Sequence, residues 1–502
     1  MKTRAAIIAL ICLMLQPHAA NAQMKRLAED VQYGASIRGT FGKGDKAPFW
    51  FTNNRYGLGA LKDNTVLART YIRRDVETDS LRVWRIGYGA ELAAGYGNQC
   101  KFILQQAYAD AQWKMLRLSL GQKERASELK NEELSTGGMT LGINARPLPQ
   151  VRLELPDFWT IPGTKGWLAI KAHLAYGWYT DNKWQRDFAA SRYLYTLNSH
   201  FHSKALLFKI GNVEKFPLTL KWGLEMACQY GGTGYYMVGY QKESLAQGIK
   251  LGGNMFKAFV PSGSDVNDDA FSNAAGNHVG SWHVRFDWAG KGWSAGAYID
   301  HLFEDHSQLG MQYGFWKDML LGVEVNLPKN RYVSNVVYEH LGTKNQSGPI
   351  YHDATPENPQ QISADDAYYN HHVYGSWQHA GFVMGNPLIL SPMYNGYLGV
   401  KADLHNYFNR VNAHHVGLKG NPFPWLSWRA LYTFEKNFGS YDRPVMDPLK
   451  GHFLLLETVY KPSWLDGLSI AAAYGHNGGS LLGNANGAML TVSWDGWIRK
   501  TD

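Results

Sequence analysis

The chain has 502 residues, 45% apolar, 14% aromatic and only 18% charged. That length and composition can bury a large core, which excludes an intrinsically disordered protein. A single long apolar run, at the extreme N-terminus, argues against a helical membrane protein, and 53 glycines, 18 tryptophans and 29 tyrosines over so few charges point to many short strands.

The chain opens with Lys2 and Arg4, an apolar stretch from Ala5 to Leu15, and Ala20-Asn21-Ala22. This order reads as a signal peptide over residues 1–22, leaving a mature chain of 23–502 exported to the outer membrane. Without Lys2 and Arg4, 48 basic side chains face 42 acidic ones, formally +6. That excess is small; it permits an acidic partner, and no basic block marks a nucleic-acid partner. Of the mature cysteines, Cys100 and Cys228, the sequence does not say whether they pair.

From residue 31 onward the dominant signal is period-two alternation. Leu168-Ile170-Ala172-Leu174-Tyr176, Leu218-Leu220-Trp222-Leu224-Met226, Trp282-Val284-Phe286-Trp288 and Met319-Leu321-Val323-Val325-Leu327 each place apolar residues on one face. Leu398-Val400-Ala402-Leu404, Leu454-Leu456-Thr458-Tyr460 and Leu468-Ile470-Ala472-Tyr474 continue the pattern. Roughly twenty such segments, many about 9–11 residues long, have the length of a tilted membrane-spanning strand. Short turns such as Ala289–Gly292 and Asn421–Pro424 alternate with long polar connections, the longest near 342–371 and another near 261–277. Aromatic residues sit at segment ends, as at Trp288, Trp293, Trp425, Trp428, Tyr460 and Trp464. The fold class read from this pattern is all-β: one transmembrane antiparallel barrel, apolar outside and wet inside. An exported sandwich or propeller is the soluble rival. Short helices are expected over 124–134 and 181–190, the second with Asp181 as N-cap.

Two stretches are more specific than a generic barrel. The first is Leu134-Ser135-Thr136-Gly137-Gly138-Met139 through Asn144-Ala145-Arg146-Pro147-Leu148-Pro149, followed by Pro156-Asp157-Phe158-Trp159. The second is Tyr368-Tyr369-Asn370-His371-His372, Trp377-Gln378-His379-Ala380-Gly381 and Met384-Gly385-Asn386-Pro387-Leu388. With Tyr33-Gly34, Arg38-Gly39 and Pro48-Phe49-Trp50, they resemble the capsule assembly Wzi family along the whole mature chain, in order. The resemblance implies an outer-membrane barrel of about eighteen strands acting as a surface lectin for capsular polysaccharide, with a helical element closing the periplasmic side.

The prolines at 147 and 149 keep their segment out of a central ladder, so it reads as a rigid piece folded into the lumen. Arg146 is then a lumen cation, available to an acidic sugar or to a structural Glu or Asp. Tyr368, Tyr369, Asn370, His371, Trp377 and His379 offer flat rings with polar edges, the chemistry a sugar needs, and are the candidate polysaccharide site. The alternative is an aromatic girdle with loop packing. The pairs His200/His202, His371/His372 and His414/His415, and the acidic Asp265-Val266-Asn267-Asp268-Asp269 run, lack a complete metal-ligand pattern, so no metal and no cofactor is expected. No catalytic signature stands out. The expected function is polysaccharide binding in capsule assembly and attachment at the cell surface, with outer-membrane lipid as the other partner. A porin or solute transporter and an outer-membrane hydrolase are the alternatives.

Overall fold

The computed structural model describes residues 27–498 apart from 45, 80–82, 99–100, 190–193, 238–245, 260–275, 305–308, 312–313, 315, 329, 331, 349–350, 353–354, 361, 364–365 and 400–402. The expected signal peptide, Cys100 and the acidic run at 265–269 lie outside the described residues.

Eighteen strands form one antiparallel sheet that closes on itself. They are β1 (Val31–Gly44), β2 (Thr65–Arg74), β3 (Trp84–Tyr96), β4 (Phe102–Trp113), β5 (Leu116–Gln122) and β6 (Pro149–Thr160). Next come β7 (Leu168–Trp178), β8 (His200–Ile210), β9 (Leu218–Tyr230), β10 (Asn277–Ala289), β11 (Ser294–Glu304) and β12 (Met319–Asn326). The last six are β13 (Asn335–Gly342), β14 (Val411–Phe423), β15 (Leu426–Gly439), β16 (Pro444–Tyr460), β17 (Leu468–Gly478) and β18 (Ala485–Ile498). Each pairs with its chain neighbours, and β18 returns to β1 in register from Val31↔Ile498 to Gly44↔Ala485. Closure gives every strand of this sheet a neighbour on both sides, which keeps backbone hydrogen bonds inside the barrel as a bilayer demands.

The alternation fixes the faces. Leu168, Leu174, Leu218, Phe286, Trp288, Leu321, Val323, Leu456 and Tyr474 are exposed large apolar residues on the outer wall. Their neighbours inside are polar, small or charged, such as Ser203, Glu225, His283 and Glu324. The start of β1 and the end of β18 lie at the end where every connection is short; the long connections 45–64, 123–148, 179–199, 231–276 and 343–410 share the other. The short-turn end is therefore periplasmic and the long-loop end extracellular. An aromatic girdle marks the periplasmic end: Phe216 and Trp288 meet edge-on, Phe423 stacks on Trp425 at 4.7 Å, and Trp425 abuts Tyr460.

Three expectations need correction. Residues 124–134 are turns rather than helix, and Leu129 takes a positive φ of 55°, which breaks a helical run. The Leu398–Leu404 alternation does not open as a strand: Pro392–Leu398 is a 3₁₀ turn ended by Gly399 at φ 72°, and 400–402 lie outside the described residues. The second helix does form, as Asn182–Phe188 (α2), with Asp181 at its N-cap position. The Asp181 carboxylate makes no cap bond there; it accepts from Gln378 Nε2 and Ala380 N instead.

The third correction concerns the interior. Its extracellular half is dry and packed. Residues of the 45–64, 123–148 and 343–410 connections fold inward and form a continuous apolar core with inward side chains of the wall, including Phe201, Val279, Leu302, Leu320, Val337, Phe453 and Met489. A one-turn helix, Phe49–Thr52 (α1), carries the Phe-Trp-Phe run into this core. Phe49 stacks on Phe453 at 4.4 Å and donates its amide to Asn477 Oδ1 at 2.8 Å. Glycine in the wall allows this approach: a Cβ on Gly475 would lie 2.8 Å from Pro48 and 2.9 Å from Phe51. Among the described residues the plug is thus built from extracellular loops. The periplasmic half holds an open chamber of about 480 Å³ lined by Arg69, Tyr71, Arg73, Glu91 and Lys123 among others.

Candidate functional site

Two carboxylates on the wall hold the plug. Glu339 of β13 accepts bonds from Ser135 Oγ at 2.5 Å, Thr136 N and Oγ1 at 2.7 Å, and Tyr298 OH at 2.7 Å. Asp300 of β11 accepts from Met139 N at 3.1 Å and pairs with Lys130 Nζ at 3.2 Å. The Ser135–Met139 stretch is therefore a latch.

Most of the sequence-predicted sugar residues are on the second half of this plug and cannot stack on a sugar from where they lie. Tyr368, Tyr369, Trp377 and His379 have no exposed surface, and His371 is buried. Tyr368 OH donates to Asp318, and Tyr369 OH donates to Met139 O while accepting from Asn386 N. Trp377 Nε1 donates to Thr140 O at 2.9 Å. His379 bonds the Arg146 carbonyl through Nδ1 and Thr180 Oγ1 through Nε2. Tyr369 sits at φ 64°, a strained conformation for a bulky residue, and is held there by bonds from both ends. Tyr369, Trp377 and His379 tie the 343–410 segment to the 123–148 segment, and His379 ties it also to Thr180. Their polar atoms and those of Tyr368 are engaged by plug backbone, by Asp318 and by Thr180, so their chemistry is used in fixing a loop fold.

Arg146 does reach the lumen. It lines a cavity of about 90 Å³ below the plug with Lys123, Arg125 and Arg152. Among the described residues no carboxylate lies within 4 Å of its guanidinium or of Arg125, whereas Lys123 pairs with Asp110 and Arg152 with Glu154. Its structural pairing with a lumen carboxylate is therefore not realised.

Of the predicted set, Asn370 lines an open extracellular cavity. This cleft, of about 260 Å³, is bounded by Asn370, Asp403, His405, Tyr407, Asp442 and Arg443 among others. The sequence reading missed its other five named members. The Asn370 side-chain amide grips the Asn406 backbone: Nδ2 donates to its carbonyl at 2.9 Å and Oδ1 accepts from its amide at 2.7 Å. Asp403 accepts from His405 N, His405 Nδ1 and Tyr407 OH. Burial lifts its carboxyl, but those three bonds outweigh burial and hold it below the usual aspartate range. The Arg443 guanidinium lies 4.6 Å over the Tyr407 ring, and among the described residues no carboxylate is within 4 Å of it. A flat cation with free donors therefore sits beside a fixed anion at the mouth. The local signal was the Asp-Leu-His-Asn-Tyr run at 403–407, which the apparent alternation of 398–404 concealed.

The buried histidines give the plug a pH dependence. Burial lowers both His371 and His379; His372, His278 and His405 push His371 the same way, while Asp181 opposes and Arg146 assists at His379. An exposed histidine takes up its proton near pH 6.5 and these do so only below that. The packed plug thus binds fewer protons than an opened one, and its stability falls as pH drops below about 6.5, by at most about 1.4 kcal/mol per unit per histidine. Protease added outside should clip 343–410 faster at pH 5.5 than at pH 7.5; equal rates would count against this.

No protein-family model matches the sequence, and no curated protein does. Among solved structures the chain is similar to Wzi of Escherichia coli, described as an outer membrane protein involved in group 1 capsule assembly and a carbohydrate-binding β-barrel. That likeness has a TM-score of 0.52 at 13% identity, over 94% of this chain and 86% of that one. The fold is that of an outer-membrane β-barrel. OccK1 (OpdK) of Pseudomonas aeruginosa also matches, with a TM-score of 0.45 at 11% identity over 93% of this chain and 99% of that one. OmpT of Vibrio cholerae, in a loop-deletion form, gives 0.37 at 10% identity, over 93% and 99%.

Proposed function

We propose that this protein holds surface polysaccharide at its extracellular mouth as a closed, non-enzymatic barrel, and so helps to assemble and attach a capsule. The observation that carries this reading is the pairing of a filled outer lumen with the open cleft at Asn370, Asp403, His405, Tyr407 and Arg443. A filled lumen is a poor route for solutes. The cleft has what an acidic sugar needs: a guanidinium that can grip a carboxylate in two places, and amide and imidazole edges for hydroxyls. The likeness to a carbohydrate-binding barrel supports the same reading. Each contact is weak; a repeating ligand held by several copies in one membrane adds avidity.

Arg443→Ala combined with Tyr407→Ala is the test. Both residues are outside the wall, so the barrel should still assemble. Binding of the cell's own acidic capsular glycan should weaken by tenfold or more, and capsule should shift from cell-attached to shed. Added salt should weaken wild-type binding but affect the variant less. Unchanged binding and unchanged attachment would refute the cleft.

A gated anion channel is the second reading, favoured by the unpaired Arg125 and Arg146 below the plug. It requires the plug to move.

A further inference from the structure

The outer wall carries a graded patch that the carbohydrate reading does not use. Across β13–β16, Tyr338, Val416, Tyr432 and Leu454 form one cross-strand row. The next row toward the cell exterior is His340, His414, Phe434 and His452. The row beyond that ends in Lys436 and Lys450, directly opposite each other. Tyr338 OH bonds His414 Nδ1, and Tyr432 OH bonds His452 Nδ1, both at 2.9 Å. Lys344 Nζ lies 4.6 Å over the Phe438 ring beside the same patch.

The height of these rows matters. Tyr460 lies in the periplasmic girdle, and Lys450 is ten residues up the same strand. That is roughly 33 Å of strand, or roughly 25 Å of height at the usual tilt of about 40°, the height of a barrel's apolar band. The rows thus change from aliphatic and tyrosine to histidine to lysine where hydrocarbon gives way to headgroups. Like charges placed opposite one another across a ladder repel. Among the described residues no carboxylate lies within 4 Å of Lys344, Lys436 or Lys450, so no ion pair there offsets that repulsion; Lys436 Nζ has only the Phe434 ring, at 5.9 Å.

We infer that this patch binds the phosphate-bearing headgroup of an outer-leaflet glycolipid, the phosphate seated between Lys436 and Lys450, with the histidine row beneath it against the sugar and acyl junction. The anion cancels the opposed lysine charges, and the tyrosine-bonded imidazoles present fixed polar edges just above the acyl chains.

The test uses the full-length protein in detergent and native mass spectrometry with added bisphosphorylated lipid A, its dephosphorylated form, or inorganic phosphate alone. Lys436→Gln with Lys450→Gln should retain bisphosphorylated lipid about thirtyfold less well than wild type, about fivefold for each lysine. Lys436→Glu creates a cross-strand ion pair that keeps the hairpin together, and it should lose the lipid equally. Dephosphorylated lipid should bind wild type no better than it binds the double variant. Equal retention of bisphosphorylated lipid by wild type and both variants overturns the site. Inorganic phosphate competing as well as the lipid overturns its assignment to a lipid.

Discussion

Glu339→Ala should convert an electrically silent barrel into one that conducts. Wild-type protein in a planar bilayer is expected to pass little current, because apolar packing fills the extracellular half of the lumen. Alanine at 339 leaves four donors in a dry site without their acceptor: the Ser135 and Thr136 hydroxyls, the Thr136 amide and the Tyr298 phenol. A single orphaned buried donor costs about 1–3 kcal/mol. Even after the loop relaxes, a loss of about 3 kcal/mol for the latch is a modest estimate, and it raises the open fraction of the plug by roughly 150-fold. Glu339→Gln keeps one carbonyl acceptor and should fall between. Heat-modifiable gel mobility checks that the wall still closes. A variant as silent as wild type, with the wall intact, would sink the idea that Glu339 latches the plug. Ion-selective current through an opened variant also bears on the channel reading: Arg125 and Arg146 should make it favour anions.

The barrel was legible because its rule is local. Period-two alternation in Leu218–Met226 or Leu454–Tyr460 reports which face meets lipid, whatever lies across the barrel. Sequence separation hides the plug. Trp377 is buried because Thr140 and Phe201 are there to cover it, and nothing within ten residues of position 377 announces that. A cluster of tyrosine, tryptophan and histidine has the same composition whether it faces a sugar or a loop, so rings with polar edges at 368–379 suggested a binding surface. Burial decides between the two, and burial depends on long-range closure. The cleft failed for the opposite reason. Asp403 and His405 come from one loop and Arg443 from another, and only their juxtaposition makes a site. Asn370 was found because it borders both regions.

Trp377→Ala separates these two roles for an aromatic residue. The side chain is fully buried, donates to Thr140 O and packs near Phe201 at a ring separation of 6.5 Å. Truncation opens a large cavity and orphans the Thr140 carbonyl, an expected loss of about 3–5 kcal/mol. That loss should fall on the plug rather than the wall, because the barrel's ladder is complete without it. Hydrogen exchange should therefore speed up over 134–144 and 368–390 while β1–β18 remain protected, and the opened plug should leak current. Glycan binding should fall only as far as the cleft at Asp403 and Asn370 is disturbed with it. Trp377→Phe refines the comparison, since it keeps most of the packing and loses the hydrogen bond, so the plug should loosen by only about 1–2 kcal/mol with near-normal glycan binding. If Trp377→Phe instead abolished glycan binding with exchange unchanged, the tryptophan would be a sugar contact reached through an opened state, and its buried position would be the resting form of a site that moves.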